Sequence, residues 1–84
     1  FYKSFFLITK RDCPYCEEAE QILEDNGFDY HSIDLQDRPA LLIDFKKSFD
    51  HETVPMVFGF FGAGCMKLIG GCDDLKKSLA VEND

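Results

Sequence analysis

The sequence predicts an α/β domain in which a four-stranded mixed sheet is flanked by helices. Three observations lead there. Aromatic and β-branched runs alternate with amphipathic helical stretches in the order β-α-β-α-β-β-α. The opening β-α-β run implies a parallel pair joined by a right-handed crossover. The last two strand runs are separated only by a flexible Gly-Ala-Gly turn, which implies an antiparallel hairpin.

The first strand covers about residues 2–9, "YKSFFLIT", with no breaker in it. Pro14 then opens a helix, because proline lacks an N–H that would be unpaired there anyway. Ala19, Ile22 and Leu23 recur at helical spacing, while Glu17, Glu18, Glu20 and Glu24 form the solvated face. Asn26 and Gly27, both tolerant of positive φ, end it. A second strand carries Phe28, Tyr30, Ser32, Ile33 and Leu35. Asp37 and Pro39 open a second helix, with Leu41, Leu42, Phe45 and Phe49 on one face. "VPMVFGFF" and "CMKLI" read as the third and fourth strands. Gly70-Gly71 breaks the chain before a short last helix, "CDDLKKSLA". No internal repeat or low-complexity linker interrupts this order, so residues 1–84 read as one domain.

Composition narrows the function. Sixteen acids against nine bases give a formal charge of −7, which argues against nucleic-acid binding through neutralised phosphates. No run of about 18 apolar residues exists to cross a membrane. "FYKSFFLITK" lacks a small-residue cleavage pattern and does not read as a signal peptide. The chain starts with Phe rather than Met, which fits processing or excision from something longer. Nine Phe and three Tyr, within a hydrophobic fraction of 45%, supply an ordinary core without covalent staples. The four cysteines therefore suggest reactive thiols in a reducing, cytoplasmic compartment rather than a disulfide scaffold.

In "RDCPYCEEAEQIL" two cysteines stand three residues apart. As zinc ligands they lack a second pair: Cys65 and Cys72 are separated by a strand, and His31 and His51 have no ligand spacing. As a structural disulfide they close too small a loop to restrict the unfolded chain much. A redox pair explains more residues. Cys13 falls at the N-cap of the helix that Pro14 begins, where free backbone N–H groups and the helix dipole favour the nucleophilic thiolate. Lys10 and Arg11 add positive charge, and Asp12 opposes them. Cys13 is thus the attacking thiol, and Cys16, one turn inside, the resolving thiol.

"CPYC" at 13–16, "TVP" at 53–55 and "GGCDDL" at 70–75 together resemble the glutaredoxin family of the thioredoxin superfamily, across nearly the whole chain. The resemblance implies a thioredoxin-like fold and a dithiol glutaredoxin. Pro55 matches the family's cis-proline, and Thr53 and Val54 match residues that hold glutathione, the Val54 backbone pairing with it as an added strand. Gly71, Cys72 and Asp73 match the helix start that receives the γ-glutamyl end, a free N-terminus suiting its carboxylate. Tyr15 matches the groove tyrosine, and Lys10 the basic residue before the first cysteine. Cys72 is expected to be a small backbone-defining residue and Cys65 a hairpin thiol without catalytic use.

Three features depart from the family pattern. The hairpin from Met56 to Ile69 is long. No Arg or Gln stands where the second helix usually offers one to the glycyl carboxylate; Arg38 lies about a turn earlier, and Lys46 and Lys47 about a turn later. The last helix ends early. The expected partners are glutathione as co-substrate and disulfide-containing proteins, ribonucleotide reductase among them by resemblance only. The chain is expected to act as a monomer with no permanent cofactor and no metal. Two alternatives are an iron–sulfur-binding glutaredoxin-like module, against which Pro14 and Cys16 count, and a thioredoxin-like reductant served by thioredoxin reductase.

Overall fold

The computed structural model describes residues 2–62 and 64–83, with no side-chain description beyond Ala80. The elements are β1 (Ser4–Thr9), α1 (Pro14–Asp25), β2 (Asp29–Asp34), α2 (Pro39–Ser48), β3 (Met56–Phe60), β4 (Met66–Gly70) and α3 (Cys72–Asn83). The sheet order is β2-β1-β3-β4. β1 runs parallel to β2 and antiparallel to β3, and β3 is antiparallel to β4. This is the thioredoxin-like arrangement, with the four-stranded mixed sheet the sequence pattern implied.

Alternation along the central strands sorts side chains between two cores. Phe5, Leu7 and Val57 point to one face and pack with Ala19 and Leu23 of α1 and Leu75 and Leu79 of α3. Ile8, Met56 and Phe58 point to the other, where Leu42 and Phe45 of α2 and Phe49 at its C-cap close over them. The first face is densely apolar. The second rests on aromatic contacts, with Phe49 edge-on to Phe58 at 4.9 Å and stacked on Phe45 at 6.3 Å. No residue of α2 is fully buried, so this helix is held more lightly than the other two.

Several boundaries differ from the sequence reading, each for a local reason. Tyr2 precedes β1; its ring packs on Phe5 at 5.6 Å and lies across Gly59, where a Cβ would collide with it. Asp37 stands one residue before the N-cap of α2, in an exposed ion pair with Arg11; Arg38 occupies the N-cap without a side-chain bond. Leu41 lies off the buried stripe of Leu42, Phe45 and Phe49 and is 41% exposed. Ile33 is likewise exposed, on the outer strand β2. Phe61 and Cys65 belong to the turn and not to the strands; they are joined by Phe61 N–H donating to the Cys65 carbonyl at 3.2 Å. α3 is not short. It runs twelve residues to Asn83, the same length as α1.

Candidate active site

β1 ends at Thr9, and the chain turns through Arg11 and Asp12 before α1 begins. Asp12 has φ 54, a left-handed conformation that Asp tolerates better than most residues. That turn places Cys13 at the N-cap of α1 with Pro14 in the first turn. The Cys16 N–H donates to Cys13 Sγ at 3.2 Å, so a backbone donor of the first helical turn is aimed at this sulfur. Together with the helix dipole, it stabilises negative charge there once the sulfur is reduced. In the structure Cys13 and Cys16 are joined as a disulfide, their Cα atoms 5.2 Å apart. Cys13 is 6% exposed and Cys16 3%, the order expected of an outer and an inner thiol.

The other groove wall comes from distant parts of the chain. The Val54–Pro55 peptide bond is cis, and the Val54 carbonyl oxygen lies 4.0 Å from Cys13 Sγ. Gly71 leads into α3; its N–H donates to Asp74 Oδ2 at 3.1 Å, the half of a capping box in which the third helical residue reaches back. Gly70, at φ 129, has no room for a Cβ beside that same carboxylate. Tyr15, Thr53, Val54, Pro55, Gly71, Cys72 and Asp73 thus line one cavity of about 350 Å³. An adjoining cavity of similar volume runs past Cys13 itself and shares Tyr15, Thr53 and Val54, adding Lys10, Lys46 and Glu52. Lys10, Cys13, Tyr15, Thr53, Val54, Pro55, Gly71, Cys72 and Asp73 thus line one or the other of two adjoining cavities, and Cys16 is bonded to Cys13.

The electrostatics of that groove differ from the sequence reading in detail. Arg11 is committed to Asp37 and lends Cys13 little charge. Lys10 lines the cavity around Cys13, and so does Lys46, while Arg38 and Lys47 do not. Lys46 is thus the α2 cation that faces the site. Cys72 is buried, and its S–H donates to Glu18 Oε2 at 3.5 Å. Burial, with the Glu18 carboxylate next, pushes its thiol up to about 11, which leaves it protonated and unreactive near neutrality. Cys65 is exposed on the turn, outside the groove. The acidic face of α1 is not simply solvated: Glu18 pairs with Lys76 at 2.7 Å, Ser32 donates to Glu20, and the Tyr30 hydroxyl donates to Glu24 at 2.7 Å.

Sequence reasoning missed His51 and Glu52 as groove residues. His51 lines the cavity that includes Gly71 and Cys72, its Nε2 3.4 Å from Thr53 Oγ1, and its backbone N–H closes the end of α2 on the Lys46 carbonyl at 2.9 Å. Adjacency to the TVP motif was the available signal. Among the described residues no cluster of three His, Cys, Asp or Glu side chains is arranged to hold a metal ion. Among the described residues, no helix is long and apolar enough to cross a membrane.

Chemically, an oxidisable thiol pair at a helix N-terminus, with the Val54 carbonyl facing it, is a site for disulfide exchange. Comparison with known proteins agrees. The glutaredoxin family profile matches residues 5–60. A hybrid peroxiredoxin, hyPrx5, of Haemophilus influenzae is 37% identical over 93% of the chain, although the chain spans only 30% of that protein's length. A glutaredoxin of Pseudomonas aeruginosa is 35% identical over 82% of the chain and 76% of its own length. Among solved structures, a buckwheat glutaredoxin–glutathione complex superposes with a TM-score of 0.76 at 27% identity, over 93% of this chain and 69% of that one. With its paired Cys13 and Cys16 at the head of α1, the chain belongs to the glutaredoxin family and carries the site of a thiol–disulfide oxidoreductase.

Proposed function

We propose that the chain is a dithiol glutaredoxin that uses glutathione as its reductant and reduces protein disulfides and glutathione mixed disulfides. The observation that carries this reading is that Cys13, Val54 and the N-terminus of α3 line one groove made of two adjoining cavities that share Tyr15, Thr53 and Val54. The ends of that groove differ in a way that suits glutathione. At α3, free backbone N–H groups favour the γ-glutamyl carboxylate and Asp73 can accept from the neighbouring ammonium. At the far end, Lys10 and Lys46 suit the glycyl carboxylate, with Val54 offering backbone groups to the cysteinyl residue between them. The glutathione complex of the buckwheat protein supports the same ligand.

The Cys13 thiolate attacks one sulfur of the substrate disulfide, forming a mixed disulfide and releasing the other sulfur as thiolate. Either Cys16 attacks Cys13 Sγ and expels the bound thiol, or a glutathione thiol attacks the mixed disulfide. Two glutathione molecules return the Cys13–Cys16 disulfide to the dithiol and leave as glutathione disulfide. The test is turnover of a glutathione mixed disulfide coupled to glutathione reductase, beside the same reaction supplied by thioredoxin reductase. Activity with glutathione only, abolished by Cys13→Ser, is expected. Full activity of Cys13→Ser, or turnover with thioredoxin reductase alone, overturns the reading.

A second reading concerns the acceptor. The relative named a hybrid peroxiredoxin favours a peroxiredoxin-type thiol peroxidase as the protein whose disulfide is reduced, ahead of ribonucleotide reductase. Peroxide consumption by a peroxiredoxin in the presence of glutathione, with and without this chain, checks it. A reducing, cytoplasmic compartment and a monomeric state belong to the same proposal.

A further inference from the structure

The groove wall holds a third thiol that the proposed exchange does not use. Cys72 opens α3 and lines the cavity shared by Tyr15, Thr53 and Asp73, yet it is only 4% exposed. A thiolate there would compete with Cys13. Attack of Cys72 Sγ on glutathione disulfide would form a Cys72–glutathione disulfide, release one glutathione thiolate, and block the groove.

The side chain that stands against this outcome is Glu18, on the solvent side of the catalytic helix. Its two carboxylate oxygens do different things: Oε2 accepts from the Cys72 thiol at 3.5 Å, and Oε1 is held 2.7 Å from Lys76 Nζ, one turn further along α3. Lys76 thus pairs with the oxygen that does not face the thiol. A negative charge at hydrogen-bond distance opposes ionisation of the thiol and gives its proton an acceptor. Of the other charges around Cys72, Asp73 acts in the same direction and Lys76 in the opposite one.

We infer that Glu18 is a positioning residue, which holds the Cys72 thiol protonated and turned toward α1, so that the groove offers an incoming disulfide one nucleophile, Cys13. The inference goes beyond the glutathione reading and does not depend on it.

The test uses the full chain with Cys13, Cys16 and Cys65 replaced by Ser, so that Cys72 is the sole thiol. The rate of its alkylation by iodoacetamide is measured against pH, with Glu18 intact, with Glu18→Gln and with Lys76→Met. Glu18→Gln keeps the shape and removes the charge, so alkylation near pH about 8 rises about five- to tenfold and the profile moves to lower pH. The same variant accumulates a Cys72–glutathione adduct under glutathione disulfide. Lys76→Met breaks the same ion pair but leaves the carboxylate, so it does not accelerate alkylation. Superposable profiles for Glu18 and Glu18→Gln overturn the inference in favour of burial alone. Equal acceleration by Glu18→Gln and Lys76→Met overturns it in favour of simple loosening of α3.

Discussion

Phe49→Ala probes the lightly held helix that carries Lys46 to the site. Phe49 caps α2, packs edge-on against the buried Phe58 at 4.9 Å and stacks on Phe45 at 6.3 Å. Truncating a fully buried Phe costs about 3–5 kcal/mol, and Phe49 is half-buried, so about 2 kcal/mol is expected, roughly half of it from the lost aromatic pair. Total stability for 84 residues is about 4–13 kcal/mol, so the variant still folds. At about 4–8 °C per kcal/mol for a domain of this size, Tm falls by about 8–16 °C. Urea unfolding followed by circular dichroism should show a lower midpoint at unchanged slope. Ile43→Ala on the same helix is the control: Ile43 is 50% exposed and the change should stay within about 0.5 kcal/mol. Equal effects of the two substitutions would refute the account of how α2 is held.

Lys46→Gln should raise KM for a glutathione mixed disulfide about threefold to tenfold with kcat little changed, as expected when a charge contact common to ground and transition states is lost; Lys47→Gln should not. Asp74→Ala removes the acceptor for the Gly71 N–H and should cost about 1 kcal/mol in thermal unfolding. Stability should decline as pH rises from about 9 toward 12. Cys72 is raised from 9.0 to about 11, chiefly by burial, and Tyr30 from 10.0 to about 12, chiefly by its bond to Glu24, so both hold protons in the fold that the unfolded chain releases. Their stabilisation is complete below the unfolded values and lost as pH passes through the folded ones; combining Cys72→Ser with Tyr30→Phe should flatten the decline, as read by urea midpoints across that range.

How far the sequence disclosed this depends on the residue. The strands and the placement of Cys13 were legible because period-two alternation and a proline at a helix start act locally. The groove was legible only through three motifs met together, since nothing in the spacing alone brings residue 13 beside 54, or 54 into one cavity with 71. What escaped depends on contacts between distant positions. Asp37 looked like a cap, but it stands one residue before the N-cap and pairs with Arg11, 26 residues away. The glutamates of α1 looked solvated until Cys72, Lys76, Ser32 and Tyr30 came within reach. Asp12 looked like an electrostatic liability; its backbone conformation gives it a place in the turn. Lys46 and Arg38 were separable only once the phase of α2 was known.

The central claim is that Cys13 is the nucleophile and Cys16 the thiol that resolves it. The direct measurement is mass spectrometry of the Cys16→Ser protein after exposure to glutathione disulfide, with peptide mapping of the adduct. One glutathionyl group on Cys13, absent from the Cys13→Ser protein and released from Cys13 by added reduced glutathione, is the predicted result. An adduct on Cys65 or Cys72 with Cys13 unmodified would contradict the account.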